Sequence, residues 1–184
     1  MDIFQIVNMY NPIWSEKETI VISIVLLLGF FCMVFLYWKG LIRLRQGIAG
    51  MLLLIYLLTV FGSTVFTRMP GERKYQLEIF WSWKEILNPI GRTSALSPEG
   101  LFIENILNMI LLFPAGILFP ITWNRKVRWW KGLVFGIIVS TGIELLQLIL
   151  CRGLFEFDDI IHNSLGCMLG CLLGNRMLKL VHGK

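Results

Sequence analysis

The chain has 184 residues, 56% of them hydrophobic, and a mean hydropathy of +0.70. Soluble domains are not this apolar over their whole length, so the composition excludes an ordinary soluble enzyme and indicates a membrane protein. The net charge is +5, but its uneven distribution along the chain argues against a nucleic-acid partner. Three of the four cysteines lie in apolar segments, so no disulfide framework is expected.

Five apolar segments of about twenty residues follow one another along the chain, and this is the length that spans a bilayer core. We predict an all-α membrane protein with one domain over residues 1–184. Two further segments, 1–18 and the loop 69–101, mix aromatic and polar residues, which predicts short amphipathic helices at the membrane surface. The five predicted transmembrane helices are 19–38, 47–67, 102–123, 132–150 and 160–178.

Basic residues mark one side of the predicted bundle. Ten Lys and Arg residues and no acid occur in three segments, namely the loops 39–46 and 124–131 and the tail from residue 175. Short loops rich in Lys and Arg stay in the cytoplasm. The pattern therefore predicts a multi-pass protein whose amino terminus is outside and whose carboxyl terminus is inside.

Polar residues within and beside the predicted spans two to five fall near their outer ends. Small residues at every fourth position lead along span four to Glu144, and a similar stripe follows Asn163 along span five. Such stripes let helices approach closely, so we predict that these two spans pack together. A polar pocket at the outer leaflet is predicted. Its predicted ligand-binding residues are Arg68, Asn105, Asn108, Glu144, Gln147, Arg152, Asp158, Asp159 and Asn163.

The acids of this set allow two interpretations each. Glu144 is a candidate general acid or base, but a structural partner of Arg68 or Arg152 is preferred because buried charges usually pair. Asp158 and Asp159 offer oxygen ligands for a divalent cation. Acids just before an apolar helix are more typical of an amino-terminal cap, so no metal site is predicted.

The two arginines and the histidine also have two possible roles each. Arg68 and Arg152 suit a phosphate or carboxylate of a lipid-linked ligand, although pairing with the nearby acids is preferred. His162 is a candidate proton carrier, but a packed and hydrogen-bonded ring is the commoner role for a histidine in this setting. The sequence contains neither a glycine-rich phosphate loop nor a nucleophile elbow, so no cofactor is expected.

The order of these motifs resembles the VanZ-like family over roughly residues 60–175. Arg68 and Arg152 fit the resemblance, whereas the segment 77–83 departs from the family pattern and leaves the role of the loop 69–101 open. The resemblance implies the bacterial plasma membrane, the cell envelope and a contribution to resistance against teicoplanin-type glycopeptide antibiotics. It implies no reaction. The matching pattern is Asn108-x5-Pro114-x-Gly116, then Glu144-x2-Gln147, then Asp158-Asp159-x3-Asn163-x2-Gly166-x3-Gly170.

The expected function is therefore a binding protein of the cell envelope. Its outer pocket would engage membrane lipid, a lipid-linked cell-wall precursor or the glycopeptide itself. The alternative is a membrane-embedded enzyme that acts on a lipid-linked substrate with Glu144 as acid or base. A proton-coupled transporter is disfavoured because the sequence has no inverted repeat.

Overall fold

The structure is a computed structural model that describes residues 15–88 and 94–182, and the described chain is mostly helical. Six α-helices occur in this part, together with one π-helical turn and two short strands. The helices are α1 (Glu16–Trp38), α2 (Leu44–Phe61, continued by the π turn Gly62–Phe66), α3 (Trp81–Leu87), α4 (Pro98–Trp123), α5 (Trp129–Leu150) and α6 (Phe157–His182). The strands are β1 (Lys74–Gln76) and β2 (Leu154–Glu156).

Each predicted span coincides with one of the long helices. Within the described residues, four helices are long and apolar enough to cross a membrane, namely α1, α2 with its π turn, α4 and α5. The segment predicted as the fifth span lies in α6, which is equally long but carries more polar residues. The chain is therefore a helical membrane protein.

The two predicted surface helices have different outcomes. Most of segment 1–18 lies outside the described residues, and the described part begins where Ser15 caps α1 through a reciprocal hydrogen-bond pair with Glu18. In the loop 69–101 the predicted short helix is confirmed as α3. The three-residue strand β1 in this loop and its partner β2 in the hinge between α5 and α6 were not predicted.

Helix α6 is the centre of the bundle and packs against both α4 and α5. The glycine stripe of α6 faces α4, because a Cβ at Gly166 or Gly170 would strike a carbonyl oxygen of α4. The stripe of α5 faces α6, where a Cβ at Gly136 would lie 2.7 Å from the Cα of Ser164. The predicted close packing of spans four and five is confirmed, but the stripe on α6 serves a different neighbour.

The outer surfaces of the bundle are apolar. Large side chains such as Leu28, Phe31 and Ile138 are more than half exposed, which in a membrane protein leaves them in contact with lipid tails. Helix α1 follows this pattern along its length and packs mainly against α2. The tightest packing therefore lies among α4, α5 and α6.

The strands join two segments that are distant in sequence. β1 pairs with β2 in parallel, with Lys74 opposite Leu154 and Gln76 opposite Glu156. Close by, the N–H of Gly71 donates to the carbonyl oxygen of Cys151 at 2.7 Å. The long loop is thereby attached to the hinge between α5 and α6, directly above the start of α6.

Substitution of Gly166 by Ala is expected to destabilise the protein. The new Cβ would meet the main-chain carbonyl oxygen of Met109, and a backbone atom cannot move aside cheaply. Overpacking of this kind costs about 1–3 kcal/mol, which lowers the melting temperature of the purified protein in detergent. The matched control is Gly142→Ala, since a Cβ there makes only an ordinary 3.6 Å contact with Phe61. Equal melting temperatures for the two variants would contradict the close approach of α4 and α6.

Candidate functional site

Most of the buried polar side chains gather at the end of the bundle where α4 and α6 begin and α5 ends. This group is called the polar core below. Burying a polar side chain in a membrane bundle costs free energy unless the side chain is hydrogen-bonded. Each hydrogen-bond partner therefore identifies a constraint on the fold. The polar core consists of Ser82, Asn105, Ser140, Glu144, Gln147, Glu156, Asp158, His162, Asn163 and Ser164.

Asp158 attaches the long loop to α6. One carboxylate oxygen accepts the N–H of Phe80 at 2.5 Å, and the other accepts both the N–H and the hydroxyl of Ser82, at 3.1 Å and 2.7 Å. The amide of Asn105 then donates to the Ser82 hydroxyl at 3.2 Å. Asp158 therefore caps the start of α3, where Phe80 adopts a left-handed conformation.

This geometry corrects the predicted role of the two acids. They were expected to cap the helix that follows them, but that helix begins at Phe157, so both lie within its first turn. Acids are favoured there by the helix dipole. The hydrogen bonds of Asp158 nevertheless go to the loop, which the sequence pattern did not indicate.

His162 holds the same loop one helical turn further along. Its Nε2 accepts the indole N–H of Trp83 at 2.8 Å, and the two rings lie at a tilt with their centroids 5.9 Å apart. The preferred interpretation of His162 as a packed, hydrogen-bonded ring is confirmed. Asp158 and His162 together attach α3 to α6 by hydrogen bonds, while α3 packs mainly against α4.

Two side-chain hydrogen bonds connect the three central helices, α4, α5 and α6. The Asn108 amide on α4 donates to Asp159 on α6 at 2.6 Å. The Asn163 amide on α6 donates to the Ser140 hydroxyl on α5 at 2.9 Å. Polar side chains thus bridge all three helices at the level where the glycine stripes end.

Glu144 and Glu156 are two of the three acids of the polar core, and they are in direct contact. The backbone N–H of Glu156 donates to a carboxylate oxygen of Glu144 at 2.9 Å, which ties α5 to β2. Burial, followed by the negative charges of Asp159 and Glu104, raises the pKa of Glu156 to about 8. Glu156 therefore carries its proton at neutral pH, which keeps an additional negative charge out of the polar core.

The arginines do not form the predicted ion pairs with these acids. Arg152 pairs with Glu18 of α1 at 2.9 Å and also donates to the carbonyl oxygen of Phe66 at 3.0 Å. Arg68 is exposed at the rim, where its charge acts on Glu144 and Asp159 without an ion pair within 4.0 Å among the described residues. The preferred pairing is therefore wrong for Arg152, because α1 supplies a nearer acid.

The structure places all nine predicted ligand-binding residues at one end of the bundle, but in different settings. Five belong to the polar core, Arg68, Asn108 and Asp159 adjoin it, and Arg152 faces α1 instead. Gln147 donates to the carbonyl oxygen of Thr64 at 3.0 Å, which anchors the π turn of α2. Reasoning from sequence missed Ser82, Trp83 and Glu156, which lie outside the long apolar segments. Ser82 and Glu156 are buried and Trp83 is half-buried where the loop packs on the bundle.

Three buried oxygen atoms of the polar core have no hydrogen-bond partner within the described part of the protein. They are Oε1 of Gln147, Oε1 of Glu156 and Oδ1 of Asn163. Oxygens of this kind accept hydrogen bonds from hydroxyl, amide or ammonium groups. In the same part of the chain, no group of three or more His, Cys, Asp or Glu side chains is arranged to hold a metal ion.

Comparison with known proteins identifies relatives of this chain. The family model described as VanZ/LLP1 matches residues 48–178, a range that contains the whole polar core. Protein VanZ of Enterococcus faecium is 28% identical over 125 residues, and the match covers 66% of this chain and 70% of that protein. No solved structure gives a significant match.

Replacement of Glu156 by Gln should change how stability depends on pH. The folded protein keeps the Glu156 proton up to about pH 8, whereas the ordinary pKa is 4.5. Between these values, rising pH destabilises the folded wild type because ionisation is favoured in the unfolded chain. Glu156→Gln removes that loss, so its melting temperature should exceed that of the wild type by several degrees near about pH 8.5 and approach it near about pH 5.

The control for this experiment is Glu72→Gln, which changes an exposed carboxyl group in the long loop. Its stability profile should follow that of the wild type at every pH. A Glu156→Gln profile parallel to the wild type would contradict the protonated state of the buried carboxyl group.

Proposed function

This chain belongs to the VanZ/LLP1 family, and from that membership and its polar core we propose that it contributes to teicoplanin-type glycopeptide resistance in the bacterial plasma membrane. The proposed role is that of a binding protein. Its polar core, at the outer face of the membrane, engages the polar group of a lipid or of a lipid-linked cell-wall precursor.

The proposed topology has five membrane spans, with the amino terminus outside and the carboxyl terminus inside. The acid-free basic segments support it, since short loops rich in Lys and Arg stay in the cytoplasm. Helix α6 is the fifth span: its 26 residues are sufficient to cross the bilayer, and it packs between two helices that also span. In this arrangement the polar core lies at the outer leaflet.

The observation that supports the proposal is the position of Arg68 near Gln147, whose Oε1 is buried and has no hydrogen-bond partner among the described residues. A Cβ at Gly153 would lie 2.7 Å from an Arg68 guanidinium nitrogen and 3.2 Å from the side-chain amide carbon of Gln147. Arg68 and the side chain of Gln147 therefore flank Gly153 together. A ligand that carries a phosphate together with sugar hydroxyls or amides suits both features, because arginine binds phosphate and the oxygens accept hydrogen bonds.

The surroundings of Glu144 favour binding over catalysis. Glu144 is only 1% exposed, and one of its carboxylate oxygens already accepts the Glu156 N–H. A general acid or base has to reach the reacting group directly or through one water. The geometry therefore supports a structural role for Glu144, with contact to the ligand at the rim.

Replacement of Arg68 by Ala should reduce protection against teicoplanin. Loss of a charge-assisted hydrogen bond weakens binding by about tenfold or more, and Arg68 is exposed, so the fold should persist. The assay is the teicoplanin susceptibility of cells that express each variant at matched membrane levels. The control Arg73→Ala removes an equal charge from an exposed position five residues further along the chain and should retain protection.

Two results would change this conclusion. Full protection by Arg68→Ala would contradict the proposed ligand contact. Complete loss of protection in Glu144→Gln, with an unchanged melting temperature, would favour the enzyme alternative, because the amide keeps the shape of the side chain but cannot transfer a proton.

A further inference from the structure

A second polar feature lies at the opposite end of the bundle from the polar core. A cavity of about 530 Å³ opens where α4 ends and α5 begins. Its lining includes four cationic side chains, Arg125, Lys126, Arg128 and Lys131, and no acid. Binding sites for small molecules commonly have volumes of about 300–1,000 Å³, so this cavity is large enough for an anionic group with its substituents.

The cavity wall is fixed by a buried asparagine. The side chain of Asn175 on α6 accepts the N–H of Val127 at 2.9 Å and donates to the carbonyl oxygen of the same residue at 2.7 Å. Asn175 is 6% exposed, so these hydrogen bonds are shielded from competing solvent. The loop that carries the cations is therefore held in one position, and a pre-organised site loses less entropy when it binds.

The start of α5 adds positive potential to the same region. Arg128 precedes the first turn of this 22-residue helix, no side chain caps that turn, and the turn contains no acid. The first backbone N–H groups of a helix carry a partial positive charge and bind anions. The amino-terminal end of α5 and the four cationic side chains thus both favour an anionic ligand.

Aromatic side chains place the cavity at the membrane surface. Arg125 lies over the ring of Trp123, 5.2 Å from its centroid, and Lys131 lies over Trp130 at 5.6 Å. Both tryptophans line the cavity and are about half exposed. Tryptophan is enriched at the level of the lipid headgroups, so a ligand in this cavity would lie at that level.

We propose that this cavity binds the phosphate headgroup of an anionic membrane lipid. Arginines and the α5 amides would contact the phosphate, and the tryptophans would contact the glycerol region. This inference does not depend on the function proposed for the polar core, because the two regions share no residues. It assigns the protein a second ligand site, on the side where anionic lipids attract basic segments.

The test is a titration of the full-length protein in dodecyl maltoside with phosphatidic acid, followed by native mass spectrometry. Phosphatidylcholine is the lipid control. The variant Arg125→Gln/Arg128→Gln should bind phosphatidic acid about tenfold or more weakly than the wild type, as expected when charged hydrogen bonds are lost. The matched control Arg43→Gln/Arg45→Gln removes two charges from exposed positions at the start of α2 and should bind nearly as well as the wild type.

Three other results of this titration would overturn the proposed lipid site. Equal weakening by the two double variants would overturn the proposal, because general surface charge would then explain the binding. Unchanged binding by Arg125→Gln/Arg128→Gln would overturn it as well. Inorganic phosphate that binds as tightly as the lipid would show a free-phosphate site instead. If the cavity variant unfolds, the single variant Arg125→Gln is used, and it should retain part of the effect.

Discussion

The fold depends on the need to satisfy a buried carboxylate near the start of α6. Asp158 is 2% exposed, and an ionised carboxylate in such a place is very unfavourable unless it is paired or hydrogen-bonded. Its donors come from Phe80 and Ser82 at the start of α3, through two backbone N–H groups and one hydroxyl. The loop therefore has to lie over the bundle, and other contacts follow. Trp83 reaches His162, Asn105 reaches Ser82, and β1 comes alongside β2.

The docked loop closes the polar core and leaves Arg68 at its rim. Glycine contacts bring α4, α5 and α6 close enough for short side chains to bridge them, as Asn108 does with Asp159 and Asn163 with Ser140. Helix α1 stands outside this assembly and is attached at its end by the Arg152–Glu18 pair. The same three helices position the cationic cavity at the other end. The two proposed ligand sites, which differ in chemistry, therefore lie at opposite ends of one bundle.

The sequence predicted the five long helices because each contains a long apolar run, and it predicted the gathering of polar residues because successive spans reverse direction. The sequence could not show which polar side chains pair with one another. Arg152 pairs with Glu18, which is distant in sequence, and only the packing of α1 reveals this contact. The three-residue strands are too short to show a periodic pattern. Ser82 and Glu156 lie in segments that look like exposed loops, and burial makes them part of the site.

The most direct test of this account is hydrogen–deuterium exchange at the backbone amides of Phe80 and Ser82. Both amides should be protected in the wild type, although the side chain of Phe80 is 49% exposed. In Asp158→Ala their exchange should accelerate by about tenfold or more, while amides within α4 and α5 stay protected. The control Glu78→Ala removes only an exposed ion pair with Lys84 and should behave as the wild type. Unchanged exchange at both amides in Asp158→Ala would contradict the account.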